Sequence, residues 1–221
     1  MESDLKVGEI LSRTINLVRD NIGMAAVALL LLGGLGIAAD LSGVGNTTTL
    51  PFTLASLVAQ YFVTRKLLDR LGLLGPDTRV RIAALFGVSF LTGIGILLGL
   101  VFLILPGLYL GARWSIAAPA LIGEDVGVSE AISISWERTR GNVLHIALAF
   151  LILYLPLIVG LGMLGMGAGI AEASGNAPTP LLETVLSNLL VQLSVVLAWH
   201  MAVAIYVPTA DHSGELAEVF A

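Results

Sequence analysis

The sequence predicts an all-α, polytopic integral membrane protein with six transmembrane helices and two amphipathic helices on the cytoplasmic membrane surface. Three observations predict this fold. The composition is 57% hydrophobic and 12% charged, with a mean hydropathy of +0.94. The apolar residues form continuous runs of helix length, and the basic residues are distributed between these runs in a way that indicates the topology.

The composition excludes most soluble folds, because a soluble domain carries about 25% charged residues. Lipid must therefore be the solvent of most side chains. The chain has no cysteine, which excludes disulfides, thiol catalysis and cysteine-ligated metals. Few basic residues and a net charge of −5 argue against a nucleic-acid partner. The expected partners are membrane lipids, a protein partner or a second copy of the chain.

Five apolar stretches encode the six predicted spans. They cover residues 22–41, 50–68, 82–123, 142–171 and 181–207. The third stretch is twice as long as the roughly 20 residues that one crossing helix needs. It therefore predicts a helical hairpin, with the turn at Pro106-Gly107.

The basic residues support this count. Ten of the eleven lie outside the spans or at the end of one: Lys6, Arg13, Arg19, Arg65, Lys66, Arg70, Arg79, Arg81, Arg138 and Arg140. Six spans place all ten on one side, whereas a single span in place of the hairpin would move the last two to the other side. Because loops rich in Lys and Arg stay in the cytoplasm, six spans with both termini cytoplasmic are predicted.

An internal repeat relates two parts of the chain at an offset of 121 residues. Residues 7–12 resemble residues 128–133, and Arg19-Asp20-Asn21 matches Arg140-Gly141-Asn142. Both copies precede a span that runs outward, so the repeat is parallel. Convergence of two interfacial helices is the alternative, but the gapless register favours duplication.

The repeat divides a single membrane domain, residues 1–221, into parts. Unit one covers residues 5–72, the inserted hairpin 80–123, unit two 127–208 and a short tail 209–221.

Each repeat unit opens with a predicted amphipathic helix, whose apolar residues recur at the i, i+3, i+4, i+7 spacing. One stripe consists of Val7, Ile10, Leu11, Thr14, Ile15 and Val18, and the other of Val128, Ala131, Ile132, Ser135, Trp136 and Thr139. Charged residues occupy the opposite faces. Both helices are therefore predicted to lie along the interface with the apolar face toward lipid.

Arg113 is the one charged residue inside the predicted hairpin. A charge inside the membrane is costly, which makes this residue a candidate for function. A structural interpretation pairs it with Asp40 or Glu183, at the outer ends of other spans, or with backbone carbonyls of a broken helix. A functional interpretation has it bind an anionic substrate. Structural pairing is favoured.

His200, in the last span, is a further candidate, because histidine can relay protons. A histidine beside Trp199 is more often a hydrogen-bonded packing residue. The sequence has neither a His-Glu-x-x-His motif nor paired carboxylates inside the spans, so no catalytic residue, metal site or cofactor is predicted.

Small residues recur at GxxxG spacing, in the pairs Gly95 and Gly99, Gly107 and Gly111, and Gly165 and Gly169. Glycines at this spacing allow helices to approach closely in lipid. Because a chain with 25 glycines produces such pairs easily, they are interpreted as packing within the chain rather than as a dimerisation face.

A block of short motifs in residues 105–142 is similar to a known family. It consists of Leu105-Pro106-Gly107, Arg113-Trp114-Ser115, Pro119-Ala120, Glu124, Glu130-Ala131, Ser135-Trp136 and Thr139-Arg140-Gly141-Asn142. The block resembles the bacterial membrane-domain family named after glycerophosphoryl diester phosphodiesterase. In some members of that family the domain is fused to the soluble enzyme.

The resemblance implies a place in the bacterial inner membrane. It marks Arg113, Pro119, Glu124, Glu130 and Asn142 as positions to test, and Pro106, Gly107 and Arg140 from the same block complete the candidate set. The barrel and acidic metal site of the phosphodiesterase are missing, so the family name implies no activity here.

Two functions are predicted from different classes. The first is a non-enzymatic inner-membrane protein in envelope or lipid homeostasis, or a scaffold for partner proteins. The second is a transporter or lipid translocator that uses Arg113 near broken helices. A polar cavity at Arg113 would favour the second hypothesis, whereas packed helices around it would favour the first.

Overall fold

The computed structural model describes residues 5–42, 49–75, 79–175 and 180–210, and within these ranges every regular element is a helix, with no strand. The helices are α1 Val7–Asp20, α2 Ile22–Leu41, α3 Thr49–Arg70, α4 Ile82–Phe102, α5 Ile104–Arg113, α6 Ala117–Gly123, α7 Val128–Arg138, α8 Val143–Ala173 and α9 Pro180–Tyr206, followed by a 3-10 turn, Val207–Thr209. From residue 211 onward the predicted tail lies outside the described residues.

Four helices in the described part of the chain are long and apolar enough to cross a membrane: Ile22–Leu41, Ile82–Phe102, Val143–Ala173 and Leu181–Thr209. They agree with four of the predicted spans, and the all-helical membrane class is confirmed. The helix α3 has the required length, but Gln60, Arg65 and Lys66 lower its hydropathy. The second limb of the hairpin is divided between α5 and α6. The count of six spans therefore stays a prediction.

The predicted hairpin is present, but its turn lies at Leu103 rather than at Pro106-Gly107. Leu103 is a single extended residue (φ −164°, ψ 143°) between α4 and α5. Pro106 lies in the first turn of α5 instead, where a proline is tolerated because the missing N–H would have no helical partner. A Pro-Gly pair is thus compatible with a helix start as well as with a turn.

Gly107 contributes to packing between the two limbs. A Cβ added at Gly99 of α4 would lie 2.8 Å from the Cα of Gly107, and one added at Gly95 would overlap the Trp114 ring. The packing interpretation is therefore confirmed for Gly95, Gly99 and Gly107. For Gly111, Gly165 and Gly169, an added Cβ would meet no atom within 4 Å among the described residues, so their packing role stays a prediction.

The helices α1 and α7 precede α2 and α8, as the repeat predicts, but their stripes do not simply face lipid. Ile10 and Thr14 are buried, and α1 packs against α8 and α9. Ala131, Ser135 and Thr139 are buried, and α7 packs against α4 and α6. The predicted contact of the whole stripe with lipid is wrong, because the same pattern also suits a helix that covers other helices.

The core lies at the end of the bundle that carries α1 and α7. The short helix α6 is almost completely buried between α3, α4, α7 and α9. By contrast, α4 and α8 expose most of their apolar side chains, and Phe102 is 79% exposed. Such extensive apolar exposure is incompatible with water and is expected for helices surrounded by hydrocarbon.

Gly99→Ala tests the close approach of α4 and α5. Because the new methyl group would meet the backbone of Gly107, we expect a loss of stability of about 1–3 kcal/mol, measured by thermal unfolding of the detergent-solubilised chain. Gly93→Ala on the same helix is the control, since nothing lies within 4 Å of an added Cβ there. Equal melting temperatures for the two variants would contradict this packing.

The absence of cysteine makes the topology testable with single introduced cysteines. If α3 crosses the membrane, a membrane-impermeant maleimide should label Ser42→Cys and Ser174→Cys in intact spheroplasts, but Leu71→Cys only after permeabilisation. All three residues are exposed. Labelling of Leu71→Cys in intact spheroplasts would show that α3 does not cross and would reduce the number of spans.

Candidate functional site

The candidate site is centred on a break in the second limb of the hairpin. The helix α5 ends at Arg113 and α6 begins at Ala117. A helix end leaves backbone groups without intrahelical partners, and in the membrane such groups must be satisfied by protein. At this break the partners come from α7.

Two hydroxyl groups of α7 lie at the break. The Ser135 hydroxyl donates to the carbonyl oxygen of Arg113 at 2.8 Å, and it accepts from the Ile116 N–H at 3.3 Å. The Thr139 hydroxyl lies 3.1 Å from the same carbonyl oxygen and 2.7 Å from that of Ser135, so its single proton is shared between them. Both side chains are fully buried. They join the stripe of α7 to the broken helix.

The Arg113 side chain also packs against α7. Its guanidinium carbon lies 4.0 Å from the centroid of a Trp136 ring, and the residue is only 4% exposed. A buried cation–π contact of this kind contributes about 2 kcal/mol. Tyr109 and Trp114 complete an aromatic cluster around Trp136, with ring centroids 6.0 and 6.2 Å away.

The predicted pairing of Arg113 with an acid is wrong. Within the described residues, no carboxylate lies within 4.0 Å of its guanidinium, and the buried Nε atom has no hydrogen-bond partner. Asp40 instead accepts a hydrogen bond from the Asn188 amide at 2.7 Å. Glu183 does not reach Arg113 either. The helix is broken beside Arg113, as the other structural interpretation expects, but the Arg113 carbonyl, not the guanidinium, makes the hydrogen bonds there, and the guanidinium lies on the Trp136 ring.

A second cluster, Glu124, Arg138 and Tyr206, joins three helix ends. Arg138 of α7 donates two hydrogen bonds to the Glu124 carboxylate, at 2.5 and 3.0 Å, and the Tyr206 hydroxyl donates to it at 2.8 Å. Burial alone would lower the pKa of Arg138, but the hydrogen bonds and charge of Glu124, with a contribution from Tyr206, raise it above its ordinary value. The cluster holds α6, α7 and α9 together.

The remaining candidates serve the ends of helices. Asn142 directly precedes α8, and its side-chain oxygen accepts from the Leu5 N–H at 2.9 Å. The Glu130 carboxylate accepts from the Gly127 N–H at 3.4 Å at the start of α7. Pro119 is buried in the first turn of α6, whereas Arg140 is exposed. None of these positions forms a cluster with His200.

His200 is fully buried in α9, with its Nδ1 atom 2.7 Å from the Val196 carbonyl oxygen. This agrees with the packing interpretation. Its Nε2 atom has no partner among the described residues. Within the described part of the chain, no group of three His, Asp or Glu side chains could hold a metal ion.

A cavity of about 540 Å³ lies on the other side of the break, between α4, α5, α8 and α9. Trp114 and Ser115 line it, but Arg113 does not. Its volume lies in the range of small-molecule sites, which is about 300–1,000 Å³. Sequence reasoning missed both the cavity and Tyr206, because each depends on residues that only the tertiary fold brings together.

Comparison with known proteins identifies the family. The family model described as the membrane domain of glycerophosphoryl diester phosphodiesterase matches residues 86–216, which is more than half of the chain. The chain belongs to this membrane-domain family. No curated protein and no solved structure matches it significantly.

The family assignment confirms the resemblance seen in the sequence. The matched range begins in α4 and includes the break at Arg113, all of α7 and the Glu124 cluster, whereas α1–α3 lie outside it. The match is to a membrane domain and not to a catalytic one. Membership therefore supports a membrane location and gives no reaction.

Ser135→Ala combined with Thr139→Val tests the role of α7 at the break. The double variant leaves the buried Arg113 carbonyl without a donor, which costs about 1–3 kcal/mol. We expect a lower melting temperature and, because α7 is released, faster proteolysis near residue 127. Ser133→Ala on the exposed face of α7 should change neither. A double variant as stable as Ser133→Ala would show that the break does not depend on these hydroxyls.

Proposed function

We propose that this protein is a non-enzymatic protein of the bacterial inner membrane that acts in envelope or lipid homeostasis or as a scaffold for partner proteins. One observation carries the proposal: Arg113, the candidate for binding an anionic substrate, is built into the packing of α5 against α7. Its carbonyl accepts from α7, its guanidinium lies on Trp136, and it does not line the cavity.

The proposed topology has six spans and both termini in the cytoplasm. Several contacts support a common side for the basic segments. Arg70 at the end of α3 donates to the Asn21 side chain, and the Leu5 N–H donates to Asn142. Arg81 donates to the carbonyl oxygens of Asp125 and Val126 at 2.7 and 2.8 Å. These contacts pair residue 5 with 142, 21 with 70, and 81 with 125–126, which supports a common end for the basic segments, as the positive-inside rule expects.

We also propose that the two units arose by duplication. In four pairs of residues that lie 121 apart in the sequence, both members are buried. The pairs are Ile10 and Ala131, Thr14 and Ser135, Asn21 and Asn142, and Ala28 and Ala149. Asn21 and Asn142 each directly precede an apolar helix. The packing partners differ, since α1 covers α8 and α9 while α7 covers α4 and α6. The inserted hairpin accounts for that difference.

The alternative function, a transporter or lipid translocator, is favoured by the cavity. The helices around this cavity are apolar, so a lipid could enter the cavity from the membrane. The mechanism that depends on Arg113 lacks the expected geometry, because the guanidinium faces α7 on the other side of the break.

Two measurements test the proposal. Full-length tagged protein, extracted from native bacterial membranes in polymer nanodiscs, should recover a partner protein or a defined set of lipids at fixed stoichiometry, compared with an unrelated tagged membrane protein. In proteoliposomes, the protein should move neither a fluorescent phospholipid nor solutes. Partner-free protein that reproducibly transports would contradict the proposal.

Arg113→Ala distinguishes the alternative. If the chain scrambles phospholipid by using this side chain, Arg113→Ala should abolish scrambling and the exposed Arg140→Ala should not. Scrambling that Arg113→Ala leaves unchanged would exclude the Arg113 mechanism, even if the translocator class were correct.

A further inference from the structure

The cavity between α4, α5, α8 and α9 has one polar end and one apolar end. Along α4 its lining changes from Ser89 and Thr92 to Ile96 and Leu100, in the direction of the hairpin turn. Gly107 of α5 contacts Leu100, so the start of α5 adjoins the same end. There Ile104 and Leu108 line the cavity, with Ile158 of α8. The end near the hairpin turn is thus entirely apolar.

Polar side chains line the opposite end. The hydroxyls of Thr92, Ser115 and Tyr154 donate to backbone carbonyls of the protein. Gln60 and Trp199 also line the cavity, and neither side chain has a hydrogen-bond partner among the described residues. An amide and an indole N–H are donors, so both can donate to a guest, although the protein itself gives them no acceptor.

The absence of charge among the described lining residues limits the kind of ligand that the cavity can bind. Among the described residues, none of the side chains that line the cavity is ionisable at neutral pH, and Arg113 lies outside the lining. A carboxylate or a phosphate would be left there without a counter-ion, which is unfavourable in an apolar site. A neutral ester carbonyl has no such cost and can accept from the Gln60 amide.

The position of the cavity between candidate membrane spans indicates where its ligand comes from. The cavity is walled by three of the candidate spans, α4, α8 and α9, and the exposed surfaces of α4 and α8 are apolar. The molecules that reach such an opening are membrane lipids, and an apolar cavity left empty would forfeit dispersion contacts.

We infer that the cavity binds one acyl chain of a membrane phospholipid, with its ester carbonyl at Gln60 and Trp199 and its methyl end beside Ile104 and Ile158. This goes beyond the proposed function, because it assigns a ligand and its orientation to a site that the scaffold proposal does not use.

Tryptophan fluorescence can test this inference directly. The chain has three tryptophans, and Trp114 and Trp199 line the cavity. Trp136→Phe removes the third while keeping an aromatic ring over Arg113. This chain is reconstituted into vesicles of phosphatidylethanolamine and phosphatidylglycerol, in which phosphatidylglycerol with brominated acyl chains is titrated. Bromine quenches only at short range, and Trp199 is 6% exposed, so a chain inside the cavity should quench with a saturating dependence on mole fraction.

Gly111→Phe, added to Trp136→Phe, should fill the cavity and abolish the saturating component. Gly111 lines the cavity, and an added Cβ there meets nothing within 4 Å. Gly93→Phe is the matched control on an exposed face of α4 and should leave the quenching unchanged. Ala202→Phe fills the cavity from α9 and replaces Gly111→Phe if that variant does not fold.

The Trp136→Phe chain, without a substitution that fills the cavity, is sufficient to overturn the inference. Quenching that is absent, or that rises linearly with mole fraction, would mean that the acyl chains remain outside the cavity. If both Gly111→Phe and Ala202→Phe preserve the saturating quenching, the acyl chains also lie outside the cavity. Displacement of the brominated phospholipid by a small mole fraction of oleic acid would assign the site to a free fatty acid and would also contradict the inference. Recovery of a partner protein and transport are measured separately from acyl-chain quenching, so either proposal can fail without the other.

Discussion

The structure depends on how the protein supplies hydrogen-bond partners to the backbone groups of a broken helix inside a largely apolar bundle. In hydrocarbon, an unpaired backbone carbonyl or N–H costs several kcal/mol, so the chain can leave the helical path after Arg113 only where other groups replace the lost partners. Ser135 and Thr139 supply them from α7. This requirement explains why an otherwise polar stretch of chain is buried.

The position of α7 then follows from a few side chains. Ser135, Arg138 and Thr139 lie three and four residues apart, so they project from one face of the helix. That face meets the break at one point and Glu124 at another. Trp136 is placed beside Arg113, where its ring compensates in part for the missing carboxylate. The helix α7 is therefore fixed by hydrogen bonds and an ion pair in addition to apolar burial.

The sequence predicts much of the architecture and little of the site. Continuous apolar runs specify Ile22–Leu41 without error, and the third run contains a hairpin as its length requires. The sequence misplaces the turn because Pro106 is equally acceptable in the first turn of a helix. Periodicity shows which face of α1 and α7 is apolar but not what covers it, so the sequence alone cannot distinguish lipid from other helices. The Glu124 and Tyr206 contact joins residues 82 apart in sequence, and no local pattern indicates such a pair.

Charge is separated from the cavity at the break. Successive side chains of a helix are turned by about 100°, so Arg113 at the end of α5 need not face the same side as the residues that follow it. Its guanidinium faces Trp136, while Trp114 and Ser115 line the cavity. A cation in that apolar space would have lacked both water and a counter-ion, and this cost is avoided by placing it against an aromatic face. The lining that favours an ester over an acid is thus neutral because the contact that holds Arg113 against α7 also keeps its charge out of the cavity.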